Sequence, residues 1–204
     1  MAYSAISFSA LEQPTLAKWN ILGTNDAYFN TQVGANFSSG TTSTVWWEEL
    51  GRTTLSGAGD TISVTPIAAR NFLRIQFHAV STGGTIAPVI RFNNDTATNY
   101  AFMYAANLGG IVNSVSQTYL DAAPSIAAGT YMGCFDVTNF TSQRKLYSGN
   151  ALDDNNGNAT TSANNHQIYG KWDNTSAQIT RVDLVNIGAG DFAIGSKIII
   201  LGHD

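Results

Sequence analysis

Asn71-Phe72-Leu73-Arg74-Ile75-Gln76-Phe77-His78-Ala79-Val80 alternates apolar and polar side chains with a period of two. Successive side chains of an extended chain point to opposite faces. Leu73, Ile75, Phe77 and Ala79 therefore line one face, and Phe72, Arg74, Gln76 and His78 the other. A strand with one greasy and one wetter face belongs to an antiparallel sheet packed on a second layer.

Working outward from this strand, the same kind of run recurs to the end of the chain. Residues 61–66 alternate Ile62 and Val64 with Thr61, Ser63 and Thr65, and Pro66 confines that strand to an edge or an end. Thr82-Gly83-Gly84-Thr85 reads as a hairpin-type connection into residues 86–92, and Asn93-Asn94-Asp95 as a turn. Further strands are expected at 100–105, 111–119, 131–140, 144–148, 167–172, 178–187 and 192–201. Residues 150–165 form a polar, glycine-containing stretch without periodicity, read as a loop. The expected fold is all-β: an antiparallel β-sandwich of jelly-roll type occupying residues 45–204.

The opening 44 residues read differently. Ser9-Ala10-Leu11-Glu12 has capping-box spacing, Pro14 suits a first helical turn, and Leu16, Trp19 and Leu22 recur at helical spacing before Gly23. A short helix is expected over residues 14–22, followed by turn chemistry at 23–26 and an irregular linker at 31–44. The expected organisation is an arm with a short helix over 1–44, for anchoring or oligomerisation, and a β domain after it. A helix this short must pack on something to persist. Leu16, Trp19 and Phe29 are the candidate anchor contacts. Trp46 and Trp47 join them, because adjacent strand residues face opposite sides and cannot both enter one core.

Composition restricts function. Charged residues are 12% of the chain against 44% hydrophobic, and 10 basic residues face 14 acidic ones for a net charge of −4. Lys and Arg are scattered, so binding to nucleic acid lacks its main source of energy. No apolar run approaches the length of a membrane span. Cys134 is the single cysteine, which leaves no intrachain disulfide, and it reads as a small buried residue. The start of the chain lacks the basic and apolar pattern of a signal peptide.

Metal and catalytic chemistry find no footing. His78, His166 and His203 stand apart from one another and from Cys134, so no zinc site is spelled out. Asp153-Asp154-Asn155-Asn156-Gly157-Asn158 misplaces the glycine of a calcium loop and lacks its closing acid, and reads as a solvated turn. Ser142-Gln143-Arg144-Lys145 has the spelling of a Ser-x-x-Lys nucleophile but lies in a turn entering a strand. Asp136 and Asp183 read as partners for Arg74, Arg91 or Arg181, or as simple surface charges, rather than as paired catalytic acids. No catalytic residue, cofactor or metal is expected. The aromatic residues leave one binding possibility: Tyr169 and Trp172, with Asp153 and Asp154, as contacts for a host glycan.

Three phrases carry a resemblance. Residues 19–30 (Trp19-Asn20-Ile21-Leu22-Gly23-Thr24-Asn25-Asp26-Ala27-Tyr28-Phe29-Asn30), 50–55 (Leu50-Gly51-Arg52-Thr53-Thr54-Leu55) and 91–95 (Arg91-Phe92-Asn93-Asn94-Asp95) resemble small jelly-roll virion proteins of tailed bacteriophages and related prophage modules. The resemblance implies a non-enzymatic capsid-decoration (cement), head-fibre or tail-fibre component of the virion, assembled in the host bacterial cytoplasm. It implies a homotrimer whose N-terminal arm attaches to major capsid or tail proteins while the β domain projects. It transfers no catalytic residue.

Overall fold

The outward and inward sets of the opening strand are realised as read. In β3 (Phe72–Val80), Leu73, Ile75, Phe77 and Ala79 are buried, whereas Gln76 is exposed and Arg74 and His78 are partly so. The structure is a computed structural model that describes residues 47–107, 109–125, 128–154, 159 and 162–204. The expected helix at 14–22, the linker at 31–44, the anchor contacts Leu16, Trp19 and Phe29, and Trp46 lie outside these residues.

All regular elements among the described residues are strands: β1 (Glu48–Thr54), β2 (Thr61–Val64), β3, β4 (Pro88–Phe92), β5 (Tyr100–Ala106), β6 (Ile111–Gln117), β7 (Leu120–Asp121), β8 (Thr130–Thr138), β9 (Lys145–Asp153), β10 (Asn164–Trp172), β11 (Val182–Asn186) and β12 (Lys197–His203). They form two antiparallel sheets. One has eight strands in the order β1-β12-β3-β8-β9-β10-β5-β6, the other four in the order β2-β11-β4-β7. The core lies between them, with Ile62, Ile90, Phe92 and Leu184 of the small sheet meeting Ile75, Phe135, Ile168 and Ile200 of the large one. This is a β-sandwich, and β2 is an edge strand ended by Pro66 as its sequence requires.

The centre of the large sheet is set by aromatic rings laid over glycines. Phe77 of β3 pairs with Gly133 of β8, and Phe135 of β8 pairs with Gly149 of β9. Phe77 and Phe135 stack at 6.2 Å, and Phe135 and Tyr147 at 4.5 Å. A Cβ at Gly133 would stand 2.6 Å from Phe77 Cζ, and one at Gly149 would stand 2.6 Å from Phe135 Cδ1. The rings occupy the volume that side chains would take.

Several expectations are corrected. Residues 82–85 do not make a hairpin, because β3 and β4 belong to different sheets. Both sides of β3 are taken by β12 and β8, so the chain must cross to the other layer. Gly84 there serves a close approach to Gly190, whose Cα would lie 2.8 Å from an added Cβ. Cys134 is exposed, not buried, because Tyr131, Phe135 and Val137 fix the phase of β8 with the even-numbered residues outward. The loop expected at 150–165 is shorter, since Asn150 to Asp153 extend β9 and Asn164 and Asn165 begin β10. The strand expected at 178–187 covers only β11; the main chain before it is held by side-chain amides, Asn139 Oδ1 accepting from Ile179 N at 2.6 Å and Asn93 Oδ1 from Thr180 N at 2.9 Å.

Replacing Gly133 with alanine forces a Cβ into the Phe77 ring, and replacing Gly149 forces one into the Cys134 carbonyl oxygen as well as the Phe135 ring. We expect Gly133→Ala and Gly149→Ala each to lower stability by about 1–3 kcal/mol or more, measured as a lower urea midpoint; an unchanged midpoint would show that the rings yield without penalty.

Candidate functional site

Strand phase, once fixed by the core, decides what the outside of the large sheet presents. On β8 it turns Met132, Cys134 and Asp136 outward, and on β9 Leu146, Ser148, Asn150 and Leu152. Tyr169 of β10 lies between Ser148 and Met103, which puts Met103 of β5 on the same face, followed by Asn113 of β6. Ala105 and Ile111 form the next pair along. The result is an outer face with large apolar side chains in the open: Leu146 is 58% exposed, Met132 56% and Tyr169 51%. Between β5, β6, β9 and β10 the face dips into a shallow groove of about 310 Å³, lined by Met103, Asn113, Val115, Leu146, Tyr169 and Lys171.

Two arginines on this face are paired within the chain, while Lys171 and Lys197 are exposed on it. Arg74 donates to both carboxylate oxygens of Asp136, at 2.7 and 3.0 Å, and Arg52 pairs with Glu49. The Arg74 guanidinium also sits 4.5 Å over the Trp47 ring. Trp47 meets His203 edge-on at 4.5 Å, and His203 stacks on Phe72 at 4.9 Å. Trp47, expected as a subunit contact, is thus half-buried against its own sheet.

The four residues expected to meet a glycan are not brought together. Tyr169 alone stands on the outer face. Trp172 is fully buried, stacked on Tyr100 at 6.2 Å, with its indole N–H donating to Asp95 at 2.7 Å. It offers no sugar platform. Burial raises the Asp95 carboxyl, but the donors Asn99, Trp172 and Ala97 outweigh it and hold the group below its ordinary pKa. Asp153 is buried at the end of β9, where it accepts from Asn164 Nδ2 at 2.9 Å and lies 3.7 Å from His166 Nε2. Burial lowers the His166 pKa, against the pull of Asp153. Asp154 is exposed just past the end of β9, six strand positions and so about 20 Å from Tyr169.

The residues read as non-catalytic have structural partners. Asp136 pairs with Arg74, and Asp183 takes Arg181 Nε at 2.9 Å on each oxygen. Lys145 of the Ser-x-x-Lys spelling is buried, its ammonium donating to the carbonyls of Gln143, Phe140 and Asn174 at 2.7, 2.8 and 3.1 Å. The amine is committed to closing a turn. Sequence reasoning missed the apolar outer face. Its signal was β9, where Leu146 and Leu152 alternate with Tyr147 and Ala151, so that both faces of one strand are apolar. Comparison with protein-family models, curated proteins and solved structures found no match to the chain.

Asp121 gives this end of the sandwich a pH dependence. Burial in β7 pushes its carboxyl from the ordinary 3.8 up to about 6, opposed by the Ala122 and Ala123 N–H groups. The folded protein then holds the proton more tightly than the unfolded chain, so this contribution is complete in acid and is lost as pH rises through about 6. Asp121→Asn is expected to stabilise the fold at pH 8 by up to ~2 kcal/mol and to give no gain at pH 4; denaturant titrations at the two pH values check this, and equal effects at both would contradict it.

Proposed function

We propose that this protein is a non-enzymatic structural component of a bacteriophage virion, a capsid-decoration (cement) or fibre protein that self-associates through its β domain and attaches through residues 1–44. The observation that carries the reading is the outer face of the large sheet. Large apolar side chains exposed together on one sheet face mark association sites. Leu146, Met132, Tyr169 and Met103 lie on one face whose Arg74 is already paired with Asp136. Copies that meet there must keep the exposed Lys171 of each clear of the other.

The finer fold belongs to the same reading. In an eight-stranded jelly roll the first, eighth, third and sixth strands form one sheet, and the second, seventh, fourth and fifth the other. With the β5–β6 and β9–β10 hairpins set aside as insertions, the orders β1-β12-β3-β8 and β2-β11-β4-β7 follow this pattern. That agreement supports a jelly roll, as do the three phrases resembling small phage virion proteins. The partners are further copies of the chain, in threes, and the major capsid or tail proteins of the particle.

Light scattering on the purified protein tests the carrying observation. We expect a copy number divisible by three, and a smaller mass for the double variant Met132→Lys, Leu146→Lys with an unchanged circular dichroism spectrum. A wild-type monomer at all concentrations would remove the basis of the proposal. Binding of the full chain to particles that lack it, followed by co-sedimentation, tests the virion setting.

A second reading, as a receptor-binding module for host glycan, keeps one observation in its favour: the half-exposed Tyr169 ring beside Asn113 and Lys171 in the shallow groove. Titration with host surface polysaccharide is expected, on that reading, to show saturable binding that Tyr169→Ala weakens at least tenfold; no saturation would dismiss it.

A further inference from the structure

The two sheets have four edges, and three are guarded. An edge strand exposes a row of backbone donors and acceptors, which proteins protect with charge, bulges, short strands or proline. β1 carries Glu48, Glu49 and Arg52 and a register shift between Glu49 and Gly51. β2 has four residues and runs into Pro66. β7 has two residues, one of them the part-buried Asp121.

The fourth edge has no such charge guard along its regular part. β6 pairs with β5 alone among the described strands. Its sequence, Ile111-Val112-Asn113-Ser114-Val115-Ser116-Gln117, contains no charge and no proline. Its outward side chains are among the most exposed apolar groups of the molecule, Ile111 at 67% and Val115 at 71%. Irregularity comes after Ser114, where the register with β5 shifts, Ser116 adopts φ 53° and the Gln117 amide donates to the Val115 carbonyl at 2.9 Å. The stretch from Ile111 to Ser114 is a regular, neutral edge that no other described strand covers, and Val115 follows it at the register shift.

We propose that β6 is where a second copy of this chain adds its own β6, antiparallel and across a two-fold axis, joining two large sheets into one. The sequence fits itself in that register. With Asn113 opposite Asn113 of the second copy, Ile111 faces Val115 and Val112 faces Ser114. On the outer face apolar meets apolar and amide meets amide, the pairings that stabilise antiparallel neighbours. The flanking outward residues of β5, Ala101, Met103 and Ala105, are uncharged, so the approach meets no like charge. The joined edge also continues the apolar face described above. A two-fold axis relates the same patch on both partners, as closed symmetric dimers require.

This inference deepens the scaffold reading and rests on it for the partner being another copy. It adds a parity: trimers built through the sheet face and joined in pairs by β6 contain six chains, so the copy number is even. The test is the solution mass of the full chain. We expect Ile111→Lys, Val115→Lys to halve it while the circular dichroism spectrum is unchanged, since both positions are exposed. Should that variant misfold, Asn113→Cys in a Cys134→Ser background provides the second measurement. Mild oxidation is expected to give a covalent dimer on a non-reducing gel, absent from Cys134→Ser alone. An odd wild-type copy number, a mass unmoved by the lysines, or no crosslink despite retained mass would overturn the edge pairing and leave the scaffold reading standing. A monomeric wild type would overturn both.

Discussion

Ring over glycine, repeated across three neighbouring strands, is the constraint on which the rest of the structure depends. Phe77 covers Gly133 and Phe135 covers Gly149, and the stacked rings of Phe77, Phe135 and Tyr147 form one slab under the small sheet. Side chains alternate strictly along a strand, so a slip of one residue would exchange the two faces entirely. Here a slip would place a ring against a Cβ instead of a glycine. Register is therefore fixed by shape at the centre of the sheet, and the outer face follows from it. Met132, Cys134 and Asp136 point outward because Tyr131, Gly133, Phe135 and Val137 must point in.

The ends of the sandwich are closed by a different interaction. Where the chain leaves a strand its backbone groups lose their ladder partners, and buried ones must find others. Asn139 is fully buried and donates to the carbonyls of Arg70 at 2.9 Å and Ile179 at 3.3 Å while accepting from Ile179 N. Asn93 does the same for residues 178, 180 and 181. Asn186 accepts from Ala87 N at 2.8 Å and from Gly188 N at 2.9 Å. Lys145 closes its turn with three carbonyl bonds. A neutral, asparagine-rich composition suits these closures, because amides supply donor and acceptor together without the desolvation penalty of a charge.

How much was legible in the sequence follows from these two interactions. Alternation in β3 and β2 was readable because each has one purely apolar phase, and Pro66 marked the edge. The phase of β8 was not, because its inward set includes Gly133, which has no side chain, and the polar-tipped Tyr131, while its outward set contains Met132 and Cys134. The crossing at residues 82–85 looked like a hairpin because Gly-Gly serves tight turns and close backbone contacts alike; only the pairing of β3 on both sides separates the two. For the glycan candidates, Trp172 and Tyr169 are three residues apart, and an odd separation in a strand puts them on opposite faces. That fact was available in the spacing, but which of the two faced the core was not. Asp153 looked like part of a polar loop because β9 and β10 extend further than their hydrophobic pattern does, carried by cross-strand pairs such as Asn164 with Asp153.

Eight strands facing four creates a surplus of sheet. At the usual strand spacing the large sheet is about 34 Å across and the small one about 14 Å. The small sheet ends in β7, only two residues long, beneath β5 and β10, and β6 runs beyond it. The inward-facing Val112 consequently remains 43% exposed although its phase is that of the core. A strand that is apolar toward both layers, uncharged along its edge and covered by neither sheet does not lower the free energy of an isolated chain by remaining in water. Its side chains are of the type that contribute when another strand lies alongside. The β5–β6 and β9–β10 hairpins therefore serve two ends: Tyr100, Tyr147, Ile168 and Trp172 enlarge the core, while Met103, Ile111, Val115, Leu146 and Tyr169 stay open to solvent.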